Sequence, residues 1–176
     1  MSDIRVWRDV GPAAFTEIRA TGEPALMKGL AKHWPIIAAA QQGDAACADY
    51  LRGLASTEPV PFMRAPPEVE GRLHYGDSVG TLNFERKASS LGDFLTELIA
   101  EASKPRPDSL ALQGLPAPER LPGFMEANQL AILPPAIIPR LWIGNAAKVA
   151  IHHDPTENVA CVAAGRRRFT LFPPEQ

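Results

Sequence analysis

Proline is the residue that most limits the folds open to this chain. Eighteen prolines occur among 176 residues, and they are spread from Pro12 to Pro174 rather than gathered into one linker. Because proline lacks a backbone donor and fixes φ, it breaks long helices and favours short strands and turns. The sequence therefore predicts an irregular, strand-rich architecture and argues against a helical bundle.

Four segments nevertheless predict helices, of which the shortest is GFMEANQL, residues 123–130. The first begins near Pro12, a residue that fits the first turn of a helix, and the second covers residues 44–54. The clearest covers residues 90–103, where Ser90 precedes Asp93 by three positions in the manner of a capping box. Apolar residues follow at helical spacing, as on a helix that packs against a core: Leu91, Phe94, Leu95, Leu98 and Ile99.

Short apolar segments elsewhere predict strands, which become dense near the end of the chain. Before residue 139, the strand candidates are 25–27, 59–64, 71–75 and 109–114. After it, four candidates are separated only by short turns rich in Gly, Pro and Asn: 140–144, 149–154, 158–163 and 168–172. Such a series is typical of an antiparallel sandwich or barrel.

The length predicts a single domain over residues 1–176. Within it, residues 1–138 predict a mixed α/β cap of helices and strands. Residues 139–176 predict the first core strands of a β-barrel. The fold class expected from the pattern is therefore mainly β with an N-terminal α/β cap.

Composition excludes several classes of function. A net charge of −2 argues against broad electrostatic contact with nucleic acid or an anionic membrane. No apolar run approaches the ~18 residues of a membrane span, and the first ten residues lack a secretory-signal pattern. Cys47 and Cys161 show no C-x-x-C spacing, which favours reduced thiols over a disulfide. We therefore expect a cytoplasmic protein.

His152 and Asp154 form the one pattern that points to chemistry. Side chains two apart on a strand share a face, so this H-x-D pair presents an imidazole and a carboxylate to one point. These are two of the three ligands of the 2-His-1-carboxylate triad that binds non-haem Fe(II). The pair alone is more typical of an ordinary core or surface histidine than of a metal ligand.

The sequence around this pair resembles the JmjC-like cupin family, the bacterial cupin-like domain proteins related to asparaginyl and lysyl hydroxylases. The resemblance is carried by RLWIGNAAKVAIHHDPTENVACVAAGRRRFTLFPPEQ, residues 140–176. This stretch contains the W-I-G strand, H-x-D, a downstream Asn, the G-R-R-R hairpin and F-P-P-E-Q in order. Weaker similarities reach back to VWRDV, GEPALMKGLAKHWP and SLGDFLTEL.

The resemblance implies a double-stranded β-helix (jelly roll) that binds Fe(II) and 2-oxoglutarate, with His152 and Asp154 as metal ligands. It places Arg167 where relatives carry a Lys that pairs with the distal carboxylate of 2-oxoglutarate, and arginine can bind a carboxylate through two hydrogen bonds. Arg167 can instead be part of a solvated turn. Asn158 matches a polar position near the co-substrate and can also cap a turn.

Two positions depart from the family pattern and leave the co-substrate contacts open. Val149 and His153 stand where many relatives carry Thr or Tyr close to the iron. The second histidine of the family triad lies several strands further along, beyond the proline pair at the end of this sequence. His33 reads as a loop residue, and His74 lies on a predicted strand before the long helix.

The jelly roll is therefore expected to be incomplete at the C-terminus. The sequence is either part of a longer protein, which we favour, or a natural short paralogue that has lost the site. Expressed alone, it should be poorly soluble or self-associating, because an open sheet edge exposes unpaired backbone groups and apolar surface. A monodisperse monomer with cooperative melting would contradict this expectation.

The first functional hypothesis is an Fe(II)- and 2-oxoglutarate-dependent oxygenase that hydroxylates a C–H bond. Its substrate would be a protein side chain or a small molecule. The alternative is a cupin-like binding or regulatory module without turnover, and a third hypothesis is a zinc-binding scaffold. Relatives are often homodimers, although no interface signature in this sequence indicates one.

Overall fold

The computed structural model describes residues 4–76, 78 and 80–172. Its helices are α1 (Pro12–Ala20), α2 (Pro35–Gln42), α3 (Asp44–Leu54), α4 (Leu91–Ala102), α5 (Ala117–Arg120) and α6 (Phe124–Ala127). Its strands are β1 (Arg5–Arg8), β2 (Ala25–Lys28), β3 (Val60–Ala65), β4 (Glu85–Ser89), β5 (Ser109–Pro116) and β6 (Arg140–Gly144). A single 3-10 turn, Pro67–Val69, follows β3. None of the helices in the described ranges is long and apolar enough to cross a membrane.

The strands form two sheets. A small parallel pair joins β1 to β2, with Arg5 opposite Ala25. The larger sheet has the order β4-β3-β5-β6, and all of its pairs are antiparallel. In this sheet Met63 of β3 lies opposite Ala111 of β5, which in turn lies opposite Gly144 of β6.

The main core lies between one face of the larger sheet and helices α2, α3 and α4. Phe62 of β3 and Phe94 of α4 meet there, with ring centroids 4.9 Å apart and a tilt of 54°. The apolar stripe predicted for residues 90–103 is therefore confirmed as the packing face of α4. Full burial of one such side chain contributes about 1.5–3 kcal/mol relative to exposure.

A buried charge network joins β3 to α4 at one end of this core. Arg64 forms ion pairs with Glu97, Glu101 and Asp108. The carboxylate of Glu101, whose side chain is 2% exposed, also accepts hydrogen bonds from Lys104 Nζ at 2.6 Å and from the Asp108 backbone N–H at 2.9 Å. The hydrogen bond from Lys104 is the main reason why the pKa of Glu101 is lowered.

Most local predictions are confirmed. Helices form at 12–20, 44–54 and 91–102, and Ser90 caps α4 by accepting a hydrogen bond from the Asp93 N–H at 3.0 Å. Strands form in four predicted regions: 25–28, 60–65, 109–116 and 140–144.

Four elements were not predicted: β1, α2, β4 and α5. Helix α2 begins directly at Pro35, in a segment read as a loop. Strand β4 has the polar sequence ERKAS, which an edge strand tolerates because it pairs with one neighbour only.

The strand predictions for 71–75 and for the three segments between 149 and 172 are wrong for this structure. The first contains only an isolated bridge between Tyr75 and Leu82. Residues 145–172 follow an irregular path without strand pairing. A strand requires a neighbour to bond its backbone groups, and the three segments between 149 and 172 have no strand neighbour among the described residues. Residues 173–176, which include most of F-P-P-E-Q, lie outside the described ranges.

The structure is therefore mixed α/β rather than mainly β, with six helices and six strands in the part of the chain that it describes. Beyond β6 most apolar side chains of the predicted strands are exposed, and Ile151 reaches 83%, whereas Val159 and Ala163 are half-buried. The other large apolar side chains exposed beyond β6 are Val149, Val162, Phe169, Leu171 and Phe172.

Candidate functional site

The segment that carries the H-x-D pair leaves the larger sheet at the end of β6. There Asn145 is bonded to Leu110 of β5 through both its backbone and its side chain. The Asn145 N–H donates to Leu110 O at 3.2 Å, and the Leu110 N–H donates to Asn145 Oδ1 at 3.0 Å. Asn145 Nδ2 also donates to Asp108 O at 2.7 Å. These bonds fix the direction in which the chain leaves the sheet.

Three residues later the segment passes over Gly71. The Lys148 N–H donates to Gly71 O at 2.8 Å. Gly71 has a φ of +76°, and a Cβ built on it would overlap Ala146 O and lie 3.2 Å from both Ala146 C and Ala147 Cα. Glycine is therefore required here both by the backbone conformation and by the close approach of the segment.

His152 lies at a depression on the face of the sheet that is turned away from the helices. Met63 and Gln113 line it from β3 and β5, and by strand alternation they point away from Phe62 and Leu112 of the core. The depression has a volume of about 300 Å³. Its other lining residues are Leu73, Phe84, Ala147, Lys148, Val149 and Ala150.

The structure brings His152 and Asp154 together, with His152 Nε2 3.8 Å from Asp154 Oδ1. Their side chains are 57% and 53% exposed. His152 Nδ1 lies 2.8 Å from Ala150 O. A carbonyl oxygen can only accept, so in the neutral imidazole Nδ1 would donate to Ala150 O and Nε2 would keep the lone pair that can bind a ligand.

His152 Nε2 and Asp154 Oδ1 are 3.8 Å apart, which is wider than the about 3 Å between neighbouring ligands that each lie about 2.1 Å from one octahedral ion. The two side chains would have to move closer together to bind one ion as neighbouring ligands. Imidazole and carboxylate together suit Fe(II). Asn158 Nδ2 donates to Asp154 Oδ2 at 2.6 Å, which leaves Oδ1 directed toward His152.

Other predicted residues lie away from this pair. Arg167 is exposed, with its guanidinium carbon 5.9 Å from the ring centroid of Phe169, and it does not line the depression described above. His33 is exposed in the turn before α2. His74 is exposed beside Tyr75, and its N–H donates to Asn83 Oδ1 at 2.8 Å. Across the described residues, no three His, Cys, Asp or Glu side chains form a group that could hold a metal ion.

Lys148 supplies the cation that lines the depression near His152. Its Nζ lies 3.8 Å from Glu70 Oε2, and both side chains are exposed. Sequence reasoning missed Lys148, as it missed Asn145, Gly71 and Gln113. Alternation along 148, 150, 152 and 154 would have put Lys148 on the face of the H-x-D pair, whereas no local signal links residue 71 to residue 146.

One surface ion pair joins the segment to the N-terminal part of the chain. Arg19 Nε of α1 lies 2.7 Å from Glu157 Oε2, and both side chains are more than half exposed. An exposed pair of this kind contributes about 0–1 kcal/mol.

The model of the cupin-like domain family matches residues 12–176. The match includes the larger sheet, Asn145, Gly71 and the His152–Asp154 pair. It therefore covers both parts of the structure on which the candidate site depends, and this chain belongs to the cupin-like domain family.

Proposed function

We propose that this chain supplies His152 and Asp154 to the Fe(II) centre of a 2-oxoglutarate-dependent oxygenase of the JmjC-like cupin group. The observation that carries the proposal is the oriented pair: His152 Nε2 faces Asp154 Oδ1 at 3.8 Å, while His152 Nδ1 lies 2.8 Å from Ala150 O. The chemistry that bound iron and 2-oxoglutarate supply in this group is hydroxylation of a substrate C–H bond. The substrate is a protein side chain or a small molecule.

The residues of this chain have separate tasks in the proposal. His152 Nε2 and Asp154 Oδ1 bind the metal, and Asn158 holds the second carboxylate oxygen in place. Asn158 also offers its amide to the co-substrate. Arg167 binds the distal carboxylate of 2-oxoglutarate through its planar guanidinium. Arg167 is exposed and lies outside the depression, so this task rests on its place in the family pattern.

The family match supports a jelly roll as the frame for this site. In the proposal, residues 1–176 belong to one domain, with 1–138 as the cap and 139–176 as the first core strands. The open face of the larger sheet, which carries Met63 and Gln113, becomes the inner wall of the jelly roll. The proposal also requires a third ligand, which no His, Cys, Asp or Glu side chain of the described residues supplies beside the pair.

Metal binding tests the proposal most directly. Anaerobic titration of Fe(II) into the chain should show one site per chain, and His152→Ala or Asp154→Ala should weaken it at least tenfold. His153→Ala is the matched control, because His153 is the neighbouring histidine and does not line the depression at which His152 lies. Equal weakening by all three variants, or no Fe(II) binding by the unaltered chain, would contradict the proposal.

The co-substrate has its own pair of variants. Arg167→Met and Lys148→Met each remove one cation, and only the first should raise the concentration of 2-oxoglutarate needed for its decarboxylation. If Lys148→Met has the larger effect, the cation beside His152 in the depression is the anchor. Absence of 2-oxoglutarate turnover with Fe(II) bound would favour the second candidate, a binding module without catalysis. That candidate is supported by the position of Arg167 outside the depression.

A further inference from the structure

The chain between β6 and the H-x-D pair is held by few contacts. Beyond Gly144, residues 145–154 form no strand pairs in the described structure. The position of His152 therefore depends on individual hydrogen bonds rather than on a ladder. Those that tie this stretch to other elements are made at Asn145 and Lys148.

The first attachment point is the side chain of Asn145. Its amide bonds to the backbone as a neighbouring strand would: Oδ1 accepts from the Leu110 N–H at 3.0 Å, and Nδ2 donates to Asp108 O at 2.7 Å. Removal of the Asn145 amide would leave the Leu110 N–H without this partner, and Leu110 is fully buried. An unpaired buried donor is costly, and the local backbone would have to move to satisfy it.

The second attachment point is the backbone of Gly71. Its carbonyl accepts from the Lys148 N–H at 2.8 Å. The absence of a side chain lets Ala146 O approach so closely that a Cβ would overlap it. Any side chain at position 71 would therefore push residues 146–148 away from this contact. Gly71 is itself buried, which limits its own movement.

The segment is attached at Asn145 and again at Lys148, three residues later, where it bonds to Gly71. His152 follows Lys148 by four residues. An extended chain rises about 3.3 Å per residue, so His152 lies within about 13 Å of the Gly71 contact along the chain. A shift at either point would move His152 and Asp154 together relative to Met63 and Gln113, the sheet residues that line the depression.

We propose that Asn145 and Gly71 are positioning residues that hold the His152–Asp154 segment over the open face of the larger sheet. Neither touches the metal in this account, and both act through the backbone of residues 146–148. The metal part of this inference rests on the function proposed above. The attachment itself can be tested without metal.

Hydrogen exchange measures the attachment. In Gly71→Ala, the amides of residues 146–154 should exchange at least tenfold faster than in the unaltered chain. Gly22→Ala is the matched control, because Gly22 has a similar φ of +65° but nothing within 4 Å of its Cβ position. If Gly71→Ala and Gly22→Ala give the same exchange in this segment, the proposed attachment is wrong, whether or not the chain binds metal.

Co(II) alone, titrated without co-substrate, measures the effect on the candidate site. Gly71→Ala and Asn145→Ala should weaken its affinity at least tenfold and alter its visible absorption spectrum. Asn145→Asp, which keeps the acceptor for Leu110 N–H, should restore part of the affinity. Faster exchange with an unchanged Co(II) affinity and spectrum would show that these residues stabilise the fold without positioning the pair. An unaltered chain that binds no Co(II) would refute the proposed function, while the exchange data would still decide the attachment.

Discussion

Replacement of Arg64 by methionine tests the charge network at the end of the core. Arg64 is the cation that contacts Glu97, Glu101 and Asp108. Methionine keeps an apolar side chain of moderate length, so the main loss is the charge and its hydrogen bonds. Within the described structure, Lys104 would remain as the cation paired with Glu101.

The expected loss follows from burial. Breaking a fully buried ion pair by removing one partner costs about 3–5 kcal/mol. The Arg64 side chain is 29% exposed, so water screens part of this loss, and we expect a decrease in the free energy of unfolding of about 2–3 kcal/mol. With an m value of about 2 kcal/mol per molar urea, the unfolding midpoint should fall by about 1–1.5 M.

Urea unfolding followed by tryptophan fluorescence and by circular dichroism is the assay, because coincident curves support a two-state reading. Arg106→Met is the matched control: Arg106 lies 2.9 Å from Glu68, but the two side chains are 72% and 65% exposed. That change should cost less than about 0.5 kcal/mol. If the two variants shift the midpoint equally, burial does not strengthen the Arg64 network and the reasoning is wrong.

Two further predictions concern the same core. The hydrogen bond from Lys104 lowers the pKa of Glu101. The ionised Glu101 carboxylate therefore contributes to the free energy of unfolding above the ordinary pKa of about 4.3, and this contribution is lost as the pH falls through the lower pKa of the folded state. The urea midpoint of Glu101→Gln should therefore decline less than that of the unaltered chain between about pH 5 and pH 3. An equal decline would show that Glu101 does not cause this pH dependence. Phe94→Ala should lower the free energy of unfolding by about 3–5 kcal/mol, because Phe94 is fully buried against Phe62. Phe94→Leu, compared in the same thermal melts, should cost less than half as much.

Much of the fold could be predicted because its signals are local. Ser90 and the apolar stripe of α4 lie within one segment, and hydrophobic burial on one helix face follows from a spacing of three and four residues. The pairing of His152 with Asp154 is local as well, since residues two apart in an extended chain share a face. Helix α2 and strand β4 were missed because one was read as a proline-containing loop and the other is a polar edge.

What the sequence by itself determined is the chemistry of the pair and the helices and strands that carry their own periodicity. What only the tertiary structure decided is where the pair lies. Gly71 and Ala146 are 75 positions apart, and their close approach leaves no periodic trace in the sequence. The link between Asn145 and Leu110 spans 35 positions. Strands between 149 and 172 also depend on neighbours, because isolated β-segments cannot satisfy their own backbone donors and acceptors. Local patterns specify which groups can bind, and long-range contacts specify whether they meet.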